Sequence, residues 1–147
     1  FFDLAKGKIP GYPPGGGSFC HVEEVAKAHI VAAERGRAGE GYLCAGMPHS
    51  NLSYTEMFKL MASAVGAKAP KMTIPKWAFV SYAYLCEMLS NLTNRAPDIN
   101  PGQARYMSAP QYAISAKAIK ELDYQVPDVN VCIQDALEWY RQQGYDI

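Results

Sequence analysis

The sequence predicts an α/β fold, with about five helices and two or three short strands set singly between them. Two observations carry this. Apolar residues recur at helical spacing in several segments, and short apolar runs bounded by glycine or acidic residues separate those segments. The 147 residues are 49% hydrophobic, enough for one sizeable core and too much for a disordered chain. Fourteen Lys and Arg balance fourteen Asp and Glu, so no net field draws the molecule to phosphates or anionic lipid, and nucleic acid is not an expected partner. The longest apolar stretch, Trp77 to Cys86, contains Ser81 and is bracketed by Lys76 and Glu87. A bilayer-spanning helix needs about 20 apolar residues, so no transmembrane span is expected.

The first residues, Asp3-Leu4-Ala5-Lys6-Gly7, read as the last turn of a helix with its Gly C-cap. With Phe1 in place of Met and no leader pattern, the expectation is a piece of a longer protein. Ile9 to Ser18 holds too much Pro and Gly for a regular element and reads as a surface loop or a cleft wall. Phe19-Cys20-His21-Val22 suits a buried strand, followed by a helix with Glu23 and Glu24 in its first turn, where the macrodipole favours acids. Val25, Ala28, His29 and Ala32 form its apolar stripe, and Gly36 closes it. Glu40 to Gly46 is a second strand candidate between glycines.

Ser53 with Glu56 three residues on makes a capping box, and Leu52 with Met57 a hydrophobic staple. The helix that starts there carries Tyr54, Met57, Phe58, Met61 and Val65 on one face and ends at Gly66. Pro70 to Pro75 is an extended connector. The next helix, Lys76 to Leu92, is apolar around most of its circumference, as in helices that are buried, at an interface or on a membrane surface. Ala96 to Ala109, with Pro97, Pro101 and Gly102, reads as a loop with at most a short strand at its end. Ser115 caps a helix with Ala118, Ile119 and Leu122 inward, and Asp128 or Asn130 opens the last one, with Ile133, Ala136, Leu137 and Tyr140 on one face and Gly144 as stop.

Cys20, Cys44, Cys86 and Cys132 lie far apart beside apolar neighbours, the pattern of core thiols in a reducing cytosol; a cytoplasmic location is expected, and no metal site. Gly15-Gly16-Gly17 does not complete a GxGxxG motif because Cys20 stands where its last glycine belongs. Gly36-Arg37-Ala38-Gly39-Glu40-Gly41 follows a helix, whereas a phosphate cradle follows a strand. No tyrosine has Lys four residues on, the spacing a Tyr-Lys proton relay needs on one helix face. For His21, His29 and His49 structural hydrogen bonds are expected rather than chemistry. No residue is assigned a catalytic, cofactor-binding or metal-binding role.

In order along the chain, Gly7-Lys8-Ile9-Pro10, Phe19 to His29, Gly39-Glu40-Gly41-Tyr42-Leu43, Ser53-Tyr54-Thr55-Glu56, Ser115 to Tyr124, Trp139-Tyr140 and Gly144-Tyr145 resemble the C-terminal half of extended short-chain dehydrogenases. The nearest branch is the dihydroflavonol-reductase-like and NAD-dependent epimerase/dehydratase group. That family usually has His-Val-Asp-Asp where His21-Val22-Glu23-Glu24 stands, and Leu-Gly-Tyr where Leu122-Asp123-Tyr124 stands; Asp tolerates the left-handed helix end that Gly would take. The resemblance implies the C-terminal part of a Rossmann-type enzyme: last strands of the nucleotide-binding sheet around 19–22 and 41–45, and a mostly helical substrate lobe over 53–147. The N-terminal NAD(P)-binding half, with the catalytic Ser, Tyr and Lys, would lie upstream.

By the same implication Tyr12, Gly17, Phe19, Trp77 and Tyr106 line the substrate cleft, and a small molecule of apolar or aromatic character is favoured. NAD or NADP would serve the intact oxidoreductase or epimerase, acting on a carbonyl or alcohol. The chain alone would bind no cofactor and be inactive. Two alternatives stand beside this. One is a free-standing binding or oligomerisation domain, with possible homodimers through exposed strand edges at 19–22 and 42–45; the other is a membrane-surface role for the helix from Lys76 to Leu92.

Overall fold

In the computed structural model, residues 1–146 are described. Helices α1 (Phe2–Ala5), α2 (Val22–Arg35), α3 (Tyr54–Ala64), α4 (Lys76–Thr93), α5 (Pro101–Tyr106), α6 (Ala116–Leu122) and α7 (Val129–Gln142) dominate. Three very short strands, β1 (Gly16–Ser18), β2 (Asn51–Ser53) and β3 (Pro110–Gln111), pair in the order β2-β1-β3. The α/β class and the mostly helical character match the expectation. The chain divides into two units: Phe1–Gly16 with Ser53–Gln111, and Gly17–Leu52 with the chain from Tyr112 onward. This differs from a single lobe over 53–147, because the residues after Tyr112 share a core with α2.

In the first unit, α3 begins at the predicted capping box. Ser53 Oγ accepts from the Glu56 N–H at 3.2 Å while the Ser53 N–H donates to Glu56 Oε2 at 2.8 Å. Gly7 and Gly66 follow the ends of α1 and α3 at φ of 64° and 67°, where only glycine is unstrained. The segment from Ile9 is not a surface loop. Tyr12 is buried, bridges Thr73 in parallel, and exchanges backbone hydrogen bonds with Met72 and Ile74 at 2.9 and 2.8 Å. The core of this unit sets Phe79 and Ala83 of α4 against Ala104 of α5, with Ile74, Ile99 and Met107 around them.

The loop expected over Ala96 to Ala109 contains α5. Its signal is in the sequence: Asn100 caps Gln103, Gln103 caps back, and Pro101 takes the first helical position, where its missing N–H costs nothing. The count of Pro and Gly hid that box.

In the second unit, Ala28 of α2 packs with Ala118 and Leu122 of α6 and with Tyr124. From α7, Val129, Ile133 and Leu137 are also buried. Asp128 caps α7 through the Asn130 N–H at 2.8 Å, and Gly144 follows its end at φ 81°. Asp123 ends α6 in the left-handed conformation at φ 54°, the geometry expected of it, and pairs with Arg35. On α2, Glu23 and Glu24 occupy the first turn as expected, whereas His29 is exposed.

Two expected strands are absent. Phe19–Val22 ends in the first residue of α2, and its Val22 side chain is 78% exposed. Tyr42–Ala45 has no ladder either. At Ala45 side chains meet both backbone groups: Ser115 Oγ accepts from the Ala45 N–H, and the Tyr124 hydroxyl donates to the Ala45 carbonyl, both at 2.8 Å. Of the cysteines, Cys44 packs against the core of the second unit, and none is fully buried. Cys20 is exposed, and Cys44, Cys86 and Cys132 are half-buried.

Two buried tyrosines make opposite predictions. Tyr124 donates its hydroxyl inside the core, whereas the enclosed Tyr12 hydroxyl has no partner. Tyr124→Phe should therefore lower the unfolding free energy by about 1–2 kcal/mol, while Tyr12→Phe should leave it unchanged or raise it by up to about 1 kcal/mol. Urea melts of the two variants check this.

Candidate functional site

The five residues expected at a substrate cleft have different environments. Tyr12 is enclosed, 2% exposed, with its ring edge-on to Phe58 at 6.0 Å. Its ring packs in the interior of the first unit. Trp77 is 74% exposed and lines a shallow concavity of the first unit with Lys76, Val80 and Arg105. Tyr106, 59% exposed, lines a separate groove of about 830 Å³ in that unit, floored by Ile9, Ile99 and Met107 and rimmed by Asp3 and Asp98. Nearby, burial pushes the Tyr54 phenol up, with Tyr106 adding to the shift. In the second unit Gly17 faces open space and Phe19 is half-buried.

The second unit has its own cavity, about 360 Å³, lined by Cys20, His21, Cys132, Asp135, Trp139 and others. A thiol beside a His–Asp pair invites comparison with a nucleophilic triad. The bonding argues otherwise. His21 Nδ1 accepts from the Glu23 N–H at 3.3 Å as the N-cap of α2, and Nε2 lies 3.0 Å from Asp135 Oδ2. Both ring nitrogens are committed, so neither can take a proton from Cys20. His29 bonds the Val25 carbonyl at 2.7 Å and His49 the Val126 carbonyl at 3.0 Å. Each histidine makes the structural bond expected of it. Sequence reading missed the partner of His21 because Asp135 lies 114 positions away.

A tyrosine and a lysine do meet in space. Lys117 Nζ sits 4.5 Å from the centre of the Tyr42 ring, against its face. The phenol is turned elsewhere: it donates to Glu121 at 2.8 Å, and Glu121 also takes a two-pronged bond from Arg37 at 3.0 and 2.6 Å. Lys117 in turn binds Glu40 at 2.5 Å and the Gly41 carbonyl at 3.0 Å. This is a cation–π contact within an ion network, not a proton relay.

The glycines do not fit the phosphates of a dinucleotide. A Cβ on Gly15 would lie 2.5 and 2.6 Å from the carbonyl oxygens of Met107 and Ala109, so the close approach there is to acceptors. The Gly15 N–H is already given to Met107. Gly36 is tight against the Ala32 carbonyl at the end of α2. A phosphate needs N–H groups converging at a helix start. Among the described residues no three of His, Cys, Asp and Glu gather in a way that could hold a metal ion, and no helix is long and apolar enough to cross a membrane.

No protein-family model matches the chain. A dihydroflavonol 4-reductase-like protein of Synechocystis is 25% identical over 94% of the chain and 40% of its own length. Short-chain dehydrogenase/reductase family 42E member 1 of Bos taurus is 28% identical over 93% of the chain and 37% of its own length. Sterol demethylase protein B of Methylococcus capsulatus is 23% identical over 97% and 43%. Over nearly its whole length the chain is similar to part of a dihydroflavonol-reductase-like protein and of short-chain dehydrogenase/reductase proteins.

The solved structure of gox2253 covers 97% of the chain at 30% identity and TM-score 0.70, using 42% of its own length. A nucleoside-diphosphate-sugar epimerase from Pseudomonas aeruginosa shares the fold over 99% of the chain, at 23% identity and TM-score 0.69. The chain thus spans about two fifths of the length of these relatives.

The ion network makes a pH prediction. The Tyr42 hydrogen bond, then Arg37, hold the Glu121 carboxyl below its ordinary 4.5, and Lys117 does the same for Glu40. A carboxyl depressed by folding stabilises the fold above its unfolded value, and that contribution is lost as pH falls through the depressed value. Stability should therefore decline on acidification below 4.5, and Glu121→Gln should make the decline shallower. Urea melts across a pH series check it.

Proposed function

We propose that the chain forms the substrate-binding portion of an NAD(P)-dependent oxidoreductase of the extended short-chain class, acting on a carbonyl or alcohol carbon of an apolar or aromatic molecule. The groove at Tyr106 carries this reading. An open tyrosine face, two isoleucines and a methionine offer stacking and apolar contact. Asp3 and Asp98 on its rim repel a diphosphate and leave a neutral ring acceptable. That favours the dihydroflavonol-like end of the relatives over a sugar nucleotide. Trp77 is a second proposed contact in the same unit, and Gly17 and Phe19 are those of the other. NAD or NADP is the proposed cofactor of the intact protein, held by residues other than the glycines of this chain. The 147 residues alone are proposed to be inactive, since none of their tyrosines has a lysine four places on.

Calorimetric titration of the chain with a dihydroflavonol and with UDP-glucose tests the reading. The dihydroflavonol should bind and UDP-glucose should not, and Tyr106→Ala should weaken the former about tenfold, the worth of one ring stack. The reverse preference, or turnover of a ketone by the chain with NADPH at an ordinary enzymatic rate, overturns it.

A further inference from the structure

Helix α4 is apolar on two sides. Phe79 and Ala83 face the core. On the opposite side Trp77, Tyr84, Leu85, Met88, Leu89 and Leu92 are 47% to 75% exposed. At 3.6 residues per turn these six fall within an arc of about 140° along a helix about 27 Å long. Together they present roughly 700 Å² to solvent, since a whole large side chain offers about 150–250 Å². The largest apolar patch on an ordinary monomer is about 300–600 Å², and larger ones mark interaction surfaces.

The charges around this face select its occupant. Between residues 68 and 105 the bases are Lys68, Lys71, Lys76, Arg95 and Arg105, and the acids are Glu87 and Asp98. Lys76 stands at the start of α4 and Arg95 just beyond its end. Arg105 is fixed at the face itself: it donates to the Tyr84 hydroxyl, with its guanidinium 5.6 Å from that ring. Glu87 and Lys76 both lie on another side of the helix, about 130° and 150° from the middle of the band, so Arg105 is the charge fixed at the face itself. A second copy would not neutralise these cations. Antiparallel pairing sets Lys76 against Arg95, and parallel pairing sets like against like. An anionic lipid surface neutralises all of them, and a Trp and Tyr on a band with leucines are the residues that rest at the headgroup level.

We propose that the outer face of α4 docks on an anionic membrane surface, with the helix lying in the interface plane. The proposal is independent of the groove at Tyr106, and it assigns Trp77 to the membrane face in place of its reading as a substrate contact.

Flotation of the 147-residue chain with phosphatidylcholine vesicles, with and without phosphatidylserine, tests it. The chain should float with the phosphatidylserine vesicles at low salt, less at high salt, and poorly with phosphatidylcholine alone. A variant carrying Met88→Glu and Leu92→Glu changes only exposed positions; with its circular dichroism unchanged, it should lose at least tenfold in vesicle binding. In Trp139→Phe, Trp77 is the remaining tryptophan and its emission should shift to the blue on binding. No flotation at low salt, equal flotation of the double variant, or equal binding to uncharged vesicles overturns the proposal. So does a dimer in sedimentation that the double variant dissociates, which would make a second copy the occupant.

Discussion

Backbone polar groups that lack a sheet to receive them govern the second unit. Ser18 Oγ donates to Asn51 Oδ1 at 2.6 Å and accepts from the Ala113 N–H at 2.8 Å, and Asn51 Nδ2 donates to the Ala113 carbonyl at 3.1 Å. Ser115 and Tyr124 close the same account for Ala45. A buried amide left unmet costs about 1–3 kcal/mol, so these side chains hold irregular backbone that would otherwise be too costly to bury. Gly46 follows from them: a Cβ there would lie 2.5 Å from Ser50 Oγ and 2.9 Å from Asn51 Oδ1. The side chain is missing because the hydrogen bonds need the room.

The same accounting explains where helix reading succeeded. Caps are local: Ser53 with Glu56, and Asp128 with Asn130, need no distant partner, so their chemistry is visible in four consecutive letters. Asp123 was legible for the same reason, since a left-handed helix end is a property of one residue and its neighbours. Asn100-Pro101-Gly102-Gln103 was equally local, and was obscured because Pro and Gly also mark loops. Ser115 shows the limit of local reading. It stands at the N-cap of α6 but makes no capping bond, its hydroxyl being taken by the Ala45 amide 70 positions away.

What was not legible depends on long-range pairing. Apolar letters at 19–22 and 42–45 look like strands, yet a strand exists only where a partner supplies a ladder; here the Phe19 amide goes to the Ser50 carbonyl and the Ala45 amide to Ser115 Oγ. The site residues divide in the same way. Periodicity cannot tell an enclosed tyrosine from an open one, and Tyr12 and Tyr106 differ only in what the fold puts around them. Ion pairs such as Arg37 with Glu121 are separated by 84 positions and are invisible to spacing rules.

Helix α4 shows why burial and apolarity need not coincide. Its contact with α5 is made through Phe79, Ala83 and Ala104, all buried. Phe79 and Ala83 stand one turn apart, so one strip of α4 holds that contact. The broad aromatic and aliphatic band on the other side is then free of any duty to the core. Polar residues at Trp77 or Leu92 would remove little internal packing, since both are about three quarters exposed. Stability therefore gives no reason for that band to be apolar, and the reason lies in what it meets outside the unit.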